Sequence, residues 1–596
     1  MKEKTIIEIN SLCGKKYLTK LQRHGEIVLL LGSGISMWSP SNLPSGQTVT
    51  QEIAELVAES SVGDKSLIVE MIKSSAFEHI MERYPKPDVL NKIVAAAYRP
   101  TAPNPVHMAV AELINDGIVK HIVTTNYDEG IENACALVCR REKIPLEIVN
   151  ESDINSIAAD RPILFKIHGS AKLGSEDSIV ATLTTEGELP EWKGNLLDDL
   201  TKDRILLISG YSGFDFEISP ALAGLSFKRL LWNSFDDPRI KPESLSANAS
   251  HVVRETGGKI LVGGMHDMFA QLDQKPCSWT GFGSGSSFVQ KLKDELTDWE
   301  LDKWRVWVLN GLSCAKEAIE IGRRMLRNSF SEAMRLDSLL ALAEALFHGG
   351  YYKQAALIYE DAAKVSFKIR DYPAWVKSEL GLIESYRVAG HWLRSAMRIE
   401  KLSRRVKPLF SGDDLVTVES QIALKRVLLQ RYVFRLSNLF RLAPISRKIQ
   451  NSVTQDLSTT ASYSATNGKW FDLRQCQMLA KKFGIPLSNI YAGKMKTTSF
   501  REGYRQLGYV LAEMMAIRSE MLDGGLSDIS EILPYLDKAE ALGINAEYWK
   551  LIRTAERRFG REAISHEQKQ KTKMFWKECE YNPSMKFLLK FFGEKA

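Results

Sequence analysis

Glycine and serine follow the first strongly apolar segment of the chain. The segment Leu29–Ser36 passes from a run of leucines into Gly32, Ser33 and Gly34. Glycines at such a point permit a tight turn and allow backbone N–H groups to approach a diphosphate, and a following helix would add its positive end. Strand-to-helix turns also use glycine for packing reasons, so this motif alone leaves nucleotide binding and packing both open.

Two further segments place polar side chains at the ends of apolar runs. In Val123-Thr-Thr-Asn-Tyr-Asp128, the side chains of Asn126 and Asp128 are expected at the carboxyl edge of a sheet. In Phe165-Lys-Ile-His-Gly-Ser170, His168 ends a strand, and its pKa near the working pH suits acid–base chemistry there. A turn-forming asparagine and a structural histidine are the alternatives.

A fourth segment, Leu206–Ser212, brings Gly210 and Ser212 to the same predicted edge. The elements that must position all four segments are short apolar runs, which alternate with helical patterns up to about residue 275. Buried strands separated by helices predict a Rossmann-like, doubly wound parallel α/β sheet, whose ligands bind beyond the carboxyl ends of the strands. The predicted strands are Ile27–Leu31, His121–Thr125, Ile163–Ile167, Ile205–Ser209, Leu230–Asn233 and Lys259–Val262.

The order of the motifs is more specific than any one of them. Gly-Ser-Gly-Ile-Ser, then Pro103-Asn-Pro-Val-His107 at a predicted helix entry, then Thr-Asn-Tyr-Asp, Lys-Ile-His-Gly and Gly-Tyr-Ser follow one another along the chain. This set resembles the sirtuin family over residues 25–269, a little under half of the chain. The resemblance implies an NAD-binding domain.

The resemblance also implies a role for each matching residue. Asn126 matches the asparagine that lies against the nicotinamide riboside and positions a water, Asp128 the acid that recognises the carboxamide, and His168 the catalytic histidine that acts as a base on the ribose hydroxyls. The residues that match the cofactor loops are Gly32, Ser33, Gly34 and Ser36 for the phosphates and Gly210 and Ser212 for the adenosine half, with a looser match at Gly263 and Gly264.

Two departures from the family pattern bear on the reaction. Protein deacylases of the family carry two cysteine pairs after the catalytic histidine, but this chain has no cysteine between His168 and Gly210. The stretch Asn42–Gln47 stands where those enzymes carry proline, aspartate, phenylalanine and arginine. The acyl-peptide platform is therefore expected to be missing, and the chain resembles the sirtuin-like domains of bacterial antiphage systems, which are fused to helical or sensor domains and hydrolyse NAD+ when triggered.

A length of 596 residues exceeds what a single hydrophobic core supports. We predict a catalytic NAD-binding domain over residues 1–275, a linker rich in glycine and serine over 276–290, and an all-α regulatory or sensor domain over 291–596.

The helical half shows internal similarity typical of tetratricopeptide-like repeats, although with a longer period. An irregular helical bundle is the alternative. A further predicted helix pair, Glu502–Leu522 and Ser527–Leu542, is joined by Asp523-Gly-Gly525. The recurring residues are Gly350, Ala355, Tyr359 and Ala362 and, forty positions later, Gly390, Ser395, Ile399 and Leu402.

Solenoids of paired helices present concave surfaces suited to a protein partner. We therefore expect a phage-derived or host protein, acting as trigger or inhibitor, to bind the helical domain. The resemblance also favours a homo-oligomer that assembles through the α/β domain.

Composition excludes several other classes of protein. A net charge of +6 over this length does not predict direct nucleic-acid binding. No apolar run approaches the roughly 18–20 residues that span a bilayer, and no signal-peptide pattern opens the chain, so we expect a cytoplasmic protein without a membrane partner.

The seven cysteines are scattered, and Cys135 and Cys139 are interpreted as buried structural thiols, so neither disulfides nor a metal site are expected.

Three functions are compatible with these residues. The first is an NAD+ glycohydrolase effector of antiphage defence, which cleaves NAD+ to nicotinamide and ADP-ribose when it is activated through its helical domain. The second is an NAD-dependent protein deacylase or ADP-ribosyltransferase with an unusual substrate groove. The third is a non-catalytic nucleotide-sensing scaffold, which the presence of both Asn126 and His168 disfavours.

Overall fold

The computed structural model describes the chain from Ile6 to Glu578 with some gaps. The residues outside the description are 1–5, 23–25, 60–64, 74, 76, 100–101, 158–159, 184, 187–188, 214, 216, 235–244, 276–287, 440–442, 468, 490–509, 523–524, 527 and 579–596. Most of the predicted linker therefore lies outside the described residues.

The first part of the chain forms one parallel sheet, which confirms the predicted α/β class. Among the described residues the sheet has eight strands in the order β1-β8-β7-β6-β2-β3-β5-β4, and every adjacent pair is parallel. All six predicted strands are present, with ends that differ by two residues or fewer. The strands are β1 Ile6–Glu8, β2 Ile27–Leu31, β3 Val119–Thr124, β4 Leu146–Ile148, β5 Ile163–Lys166, β6 Ile205–Ser209, β7 Arg229–Ser234 and β8 Lys259–Val262.

The helices of this part connect the strands as the doubly wound pattern requires. They are α1 Leu12–Gln22, α2 Gly46–Ala58, α3 Lys65–Lys73, α4 Phe77–Met81, α5 Pro87–Tyr98, α6 Pro105–Asn115, α7 Gly130–Val138, α8 Glu191–Thr201, α9 Ile218–Leu222, α10 Ala247–Glu255 and α11 Met265–Asp273. The helix entry predicted at Pro103–His107 is confirmed, because Asn104 caps α6 and Pro105 is its first residue.

Strand β2 shows why the sheet needs continuous apolar runs. All five of its residues are buried. Ile27, Leu29 and Leu31 pack in the hydrophobic cluster on one face, whereas Val28 and Leu30 pack in the cluster on the other. Because successive side chains of a strand point to opposite faces, a sheet covered on both faces requires apolar residues at every position.

The rest of the chain is helical throughout its described residues, which confirms the predicted all-α region. The short helix α12 Phe288–Asp294 includes the last three positions of the predicted linker. The helices that follow are α13 Asp298–Gly311, α14 Ala315–Arg327, α15 Glu332–His348, α16 Tyr352–Ile369, α17 Tyr372–Val388, α18 Trp392–Val406, α19 Gly412–Leu439, α20 Ala443–Thr466, α21 Trp470–Phe483, α22 Val510–Leu522, α23 Leu533–Ala541, α24 Asn545–Phe559 and α25 His566–Glu578.

The residues that suggested repeats lie at equivalent places in helices α16 and α18. Gly350 and Gly390, with φ of +89° and +86°, each precede one of these helices. The Oγ of Ser395 on α18 donates a 3.0 Å hydrogen bond to the carbonyl oxygen of Ile383 on α17, which brings these two helices close together. Repeat membership stays a prediction, and residues 502–509 of the last predicted helix pair lie outside the described part of the chain. The other marker residues are buried, namely Ala355, Tyr359, Ala362, Ile399 and Leu402.

The chain divides into two compact units. One falls within Met1–Ile53 and Ala76–Glu295, and the other includes Ala54–Ser75 and the helices after Leu296. In the second unit, Arg305 donates from Nε and Nη2 to the carbonyl oxygen of Leu56, at 3.3 and 3.2 Å. The end of α2 and helix α3 thus pack with the helical unit, and the domain boundaries at 275 and 290 stay predictions.

The structure also bears on membrane-spanning helices and on the two neighbouring cysteines. No helix among the described residues is long and apolar enough to cross a membrane. Cys135 is buried, and burial raises the pKa of its thiol, whereas Cys139 is only half-buried.

Candidate functional site

The carboxyl ends of the central strands lie side by side. Leu31 of β2 is in register with Thr124 of β3, and Thr124 is in register with Lys166 of β5. Asn126 and His168 each follow two residues after these aligned positions. The register therefore places the predicted asparagine and histidine at neighbouring points of one sheet edge, where the strand order reverses about β2 and ligands bind in sheets of this type.

The glycines after β2 and β6 pack against each other. The backbone N–H of Gly34 donates to the carbonyl oxygen of Gly210 at 3.0 Å. A Cβ on Gly32 would lie 2.5 Å from that same oxygen, and one on Gly34 would lie 2.8 Å from the Cα of Gly210. A 3-10 helix, Ser33–Ser36, follows these glycines. Close packing of the two loops thus requires the glycines, whatever binds beside them.

The hydroxyl of Ser36 connects three predicted motifs. Its Oγ donates to Oδ2 of Asp128 at 2.8 Å and accepts from Nδ2 of Asn126 at 3.1 Å. It also lies 3.2 Å from Nε2 of His107. All four side chains are at least nine-tenths buried. This places Ser36 at the centre of the buried polar network.

His107 completes the network as a donor. Burial lowers the pKa of His107, and the nearby carboxylate of Asp128 offsets only part of that effect. The ring is therefore neutral, and its Nδ1 accepts from the backbone N–H of Asn104 at 3.3 Å. The proton must then be on Nε2, which donates to Ser36. The sequence analysis assigned no role to His107. Its position at the end of the motif Pro103-Asn-Pro-Val-His107 could have identified it as a candidate site residue.

Asn126 keeps one polar atom unused. Its Nδ2 is bound to Ser36, but its Oδ1 is buried and has no hydrogen-bond partner among the described residues. A buried polar atom without a partner is costly, and such atoms in native structures commonly meet a ligand or a water. The Oδ1 of Asn126 is the atom that fits a ligand hydroxyl or an attacking water.

A buried lysine fixes the loop that carries Asn126 and Asp128. The Nζ of Lys166, which is fully buried, donates to the carbonyl oxygens of Tyr127 and Asp128 at 3.1 and 2.6 Å. Its third bond goes to Oε1 of Glu132 at 2.7 Å. Burial raises the pKa of Glu132 to about 7, although Lys166 opposes the shift. The three donors of the ammonium group are thus all used, two of them on the loop backbone.

His168 lies among acidic side chains. Its Nε2 is 3.1 Å from Oε1 of Glu217, within ion-pair distance, although the ring N–H does not point along that line. Burial lowers the pKa of His168, but Glu217 and then Asp215 outweigh burial, so that the pKa is raised overall. Burial raises the pKa of Glu78 on α4, and the positive charge of His168 offsets part of this rise.

These acidic residues were missed from the sequence. Asp215 and Glu217 lie within eight residues of the end of β6, so a search for carboxylates shortly after each buried strand would have found them. Glu78 is in a short helix with no such signal. Among the described residues, no group of three or more His, Cys, Asp or Glu side chains is arranged to hold a metal ion.

The remaining predicted contact residues follow strands β6 and β8. Ser212 is exposed in the loop after β6. Gly263 follows β8, and its carbonyl oxygen accepts from Nδ2 of Asn233 at 3.0 Å. Gly264 precedes α11. Because β7 separates β6 from β8, no described contact joins these two glycines to Asn126 or His168.

One comparison with known proteins matches the part of the chain that forms this edge of the sheet. A family model described as a SIR2-like domain matches residues 120–226. No curated protein matches the chain. The matched range begins in β3 and ends after α9, so it contains Asn126, Asp128, His168 and Glu217. SIR2-like domains bind NAD+ and are typically NAD-dependent enzyme domains.

Proposed function

We propose that the α/β unit cleaves NAD+ to nicotinamide and ADP-ribose, with water as the acceptor. The observation that carries this proposal is the placement of Asn126 and His168 at neighbouring strand ends, with the unpartnered Oδ1 of Asn126 beside the network of Ser36 and Asp128. The SIR2-like match to residues 120–226 supports NAD+ as the ligand.

The residues suit a reaction that needs orientation more than covalent chemistry. The bond between C1′ of the ribose and the nicotinamide nitrogen breaks, nicotinamide leaves with the electron pair, and a water oxygen bonds to C1′ and releases a proton. Asn126 would hold that water, His168 would accept a proton from a ribose hydroxyl or the water, and the nearby carboxylates would stabilise positive charge that develops on the sugar.

Water is favoured as the acceptor because the chain lacks the features expected of a peptide platform. The stretch between His168 and Gly210 contains no cysteine, so the zinc module of the deacylases has no ligands there. Gly32, Ser33, Gly34 and Ser212 are proposed to contact the phosphates and the adenosine half.

We further propose that the helical unit regulates this reaction, and that the protein is a cytoplasmic effector of antiphage defence, assembled as a homo-oligomer. Repeated helix pairs suit recognition of a phage-derived or host protein. A cell needs such control because unregulated consumption of NAD+ is toxic. Loss of cellular NAD+ on phage infection, compared with uninfected cells and with cells that express the Asn126→Ala variant, tests this role.

The reaction itself is tested by incubating the purified full chain with NAD+ and separating the products by chromatography. We expect free ADP-ribose and nicotinamide without any acyl-peptide, and a loss of at least about 100-fold in Asn126→Ala and His168→Ala. Asn115→Ala and His251→Gln, which change the same residue types away from the site, should retain activity.

Two outcomes would replace the proposal. Strict dependence on an acyl-peptide, or transfer of ADP-ribose to a protein, would identify a deacylase or an ADP-ribosyltransferase. If NAD+ is bound but never consumed, and if both alanine variants leave cellular NAD+ and toxicity unchanged, the protein is a nucleotide-sensing scaffold.

A further inference from the structure

The loop after β6 carries two buried acids beside the predicted histidine. Glu217 is 5% exposed and Asp215 is 7% exposed. The Oε1 of Glu217 lies 3.1 Å from Nε2 of His168, whose side chain is 8% exposed. A carboxylate this deep in a protein is costly unless a positive or hydrogen-bonding group faces it. The histidine is the only ion-pair partner that the described residues provide for Glu217.

We infer that Glu217 is a positioning residue for His168: its carboxylate keeps Nε2 within ion-pair distance, and Nδ1 is the nitrogen that accepts a proton from the substrate. This inference rests on the proposed function, in which His168 acts as the base. No described residue forms a hydrogen bond with Nδ1. A carboxylate at one ring nitrogen fixes the tautomer and makes the other nitrogen the acceptor, as in hydrolases that pair an acid with a histidine.

Asp215 holds this loop in place. Its Oδ1 accepts from the backbone N–H groups of Ile218 and Ser219, at 2.6 and 3.1 Å, and its Oδ2 accepts from the hydroxyl of Tyr211. Tyr211 in turn stacks on Trp232 of β7, with ring centroids 5.7 Å apart. Asp215 thus ties the segment that carries Glu217 to the start of α9 and, through Tyr211, to β7, which suits a residue that must keep a fixed distance to His168.

Four charged groups face His168 from three elements. Glu217 and Asp215 follow β6, Glu78 is on α4, and Lys193 is on α8. Burial lowers the pKa of Lys193, while Glu217 partly opposes this. The acids dominate, so the ring keeps its proton to a higher pH than an isolated buried histidine would. The base form of His168 therefore becomes available only as the pH rises through this raised pKa.

The test compares Glu217→Gln with Glu217→Ala in the full chain. Glutamine keeps the shape but removes the charge that raises the pKa of His168, so the acid limb of the kcat/KM profile should move to lower pH. Alanine also removes the contact, so kcat should fall about 100-fold with a smaller change in KM. Glu112→Gln removes a carboxylate that pairs with Lys275 on the surface and serves as the matched control.

A second readout does not depend on activity. The titration of His168 is followed by NMR of protein labelled at the histidine rings, with the signal assigned by its absence in His168→Gln. We expect its pKa to fall in Glu217→Gln and to stay unchanged in Glu112→Gln. An unchanged titration and an unchanged acid limb in Glu217→Gln would overturn the inference. If the titration shifts but the wild-type chain consumes no NAD+, the pairing stands and the proposed function fails.

Discussion

The Oγ of Ser36 donates a 2.8 Å hydrogen bond to Oδ2 of Asp128, and the two residues are 92 positions apart in the chain. The other oxygen of this carboxylate, Oδ1, accepts from the backbone N–H of Gly130 at 2.8 Å. Because the serine hydroxyl also accepts from Asn126 and His107, one small side chain joins the loop after β2, the loop after β3 and the entry of α6. A buried hydrogen-bond network of this kind orders its members cooperatively.

The first prediction concerns Ser36→Ala. The change leaves Asp128 with one hydrogen bond fewer and leaves the Nδ2 of Asn126 and the Nε2 of His107 without their partner. We expect a stability loss of about 1–3 kcal/mol and a fall of about 10-fold or more in the rate of NAD+ cleavage. Thermal unfolding and steady-state rates measure the two effects.

Ser338→Ala is the control for Ser36→Ala, since Ser338 is equally buried and its hydroxyl donates to the carbonyl oxygen of Met334 in the helical unit. It should lower stability without affecting the intrinsic rate. Equal rates for wild type and Ser36→Ala would show that the network does not position the reacting groups.

The second prediction separates packing from backbone strain at Gly210. This residue has φ of +66°, and a Cβ on it would lie 2.9 Å from the backbone nitrogen of Ile35. Gly257 has φ of +62°, but nothing lies within 4 Å of its Cβ position. Alanine at Gly257 therefore incurs only the left-handed strain of about 1–2 kcal/mol, whereas alanine at Gly210 also pushes the two site loops apart.

We expect Gly210→Ala to lower both the melting temperature and the affinity for NAD+, and Gly257→Ala to lower the melting temperature alone. Calorimetric titration with NAD+ at a temperature where both variants are folded provides the comparison. If the two variants lose affinity equally, contact between the glycine loops is not what shapes the binding site.

The central sheet was predictable because its strands are buried on both faces. A short, continuous apolar run such as Ile27–Leu31, bounded by turn residues, is typical of a strand covered on both sides. The edge strands Ile6–Glu8 and Leu146–Ile148 were missed, since three residues are too few to show a pattern. Asn126 and His168 could be placed together because the carboxyl ends of parallel strands meet at one edge.

The partners of those residues were not predictable in the same way. The position of Ser36 depends on a 3-10 helix, and that of His107 depends on the cap that Asn104 forms at α6. Glu217 follows β6 and His168 follows β5, although β2 and β3 lie between these two strands in the sheet. Contacts of this kind arise from three-dimensional packing rather than from sequence periodicity.

The third prediction concerns close helix packing in the second unit. Gly381 of α17 faces Tyr359 of α16, and a Cβ on this glycine would lie 2.4 Å from two atoms of the tyrosine ring. Tyr359 is buried, so the ring has little room to move. We expect Gly381→Ala to destabilise the chain by about 1–3 kcal/mol, measured by urea unfolding.

Gly194, in the interior of α8, provides the matched comparison for Gly381. The nearest atom to its Cβ position is 4.0 Å away. Because alanine favours helices over glycine, Gly194→Ala should be neutral or stabilising, by up to about 1 kcal/mol. If Gly381→Ala is as well tolerated, helices α16 and α17 do not pack as closely as the tyrosine contact requires.

The fourth prediction is a pH dependence that originates at Glu132. Its folded pKa of about 7 lies above the ordinary value of 4.5, because burial outweighs the attraction of Lys166. A raised folded pKa means that the folded state holds a proton that the unfolded state has released. The associated stability is fully present below pH 4.5 and is lost as the pH rises through about 7.

Glutamine at position 132 resembles the protonated carboxyl and removes this loss. The stability of Glu132→Gln relative to wild type should therefore rise between pH 5 and pH 8, by up to roughly 3 kcal/mol. Unfolding midpoints measured across this pH range, with Glu112→Gln as control, decide the matter. If the stability difference between Glu132→Gln and wild type does not change with pH, Glu132 is ionised throughout this range. An ion pair with Lys166, rather than a neutral carboxyl, then fixes the loop that carries Asn126 and Asp128.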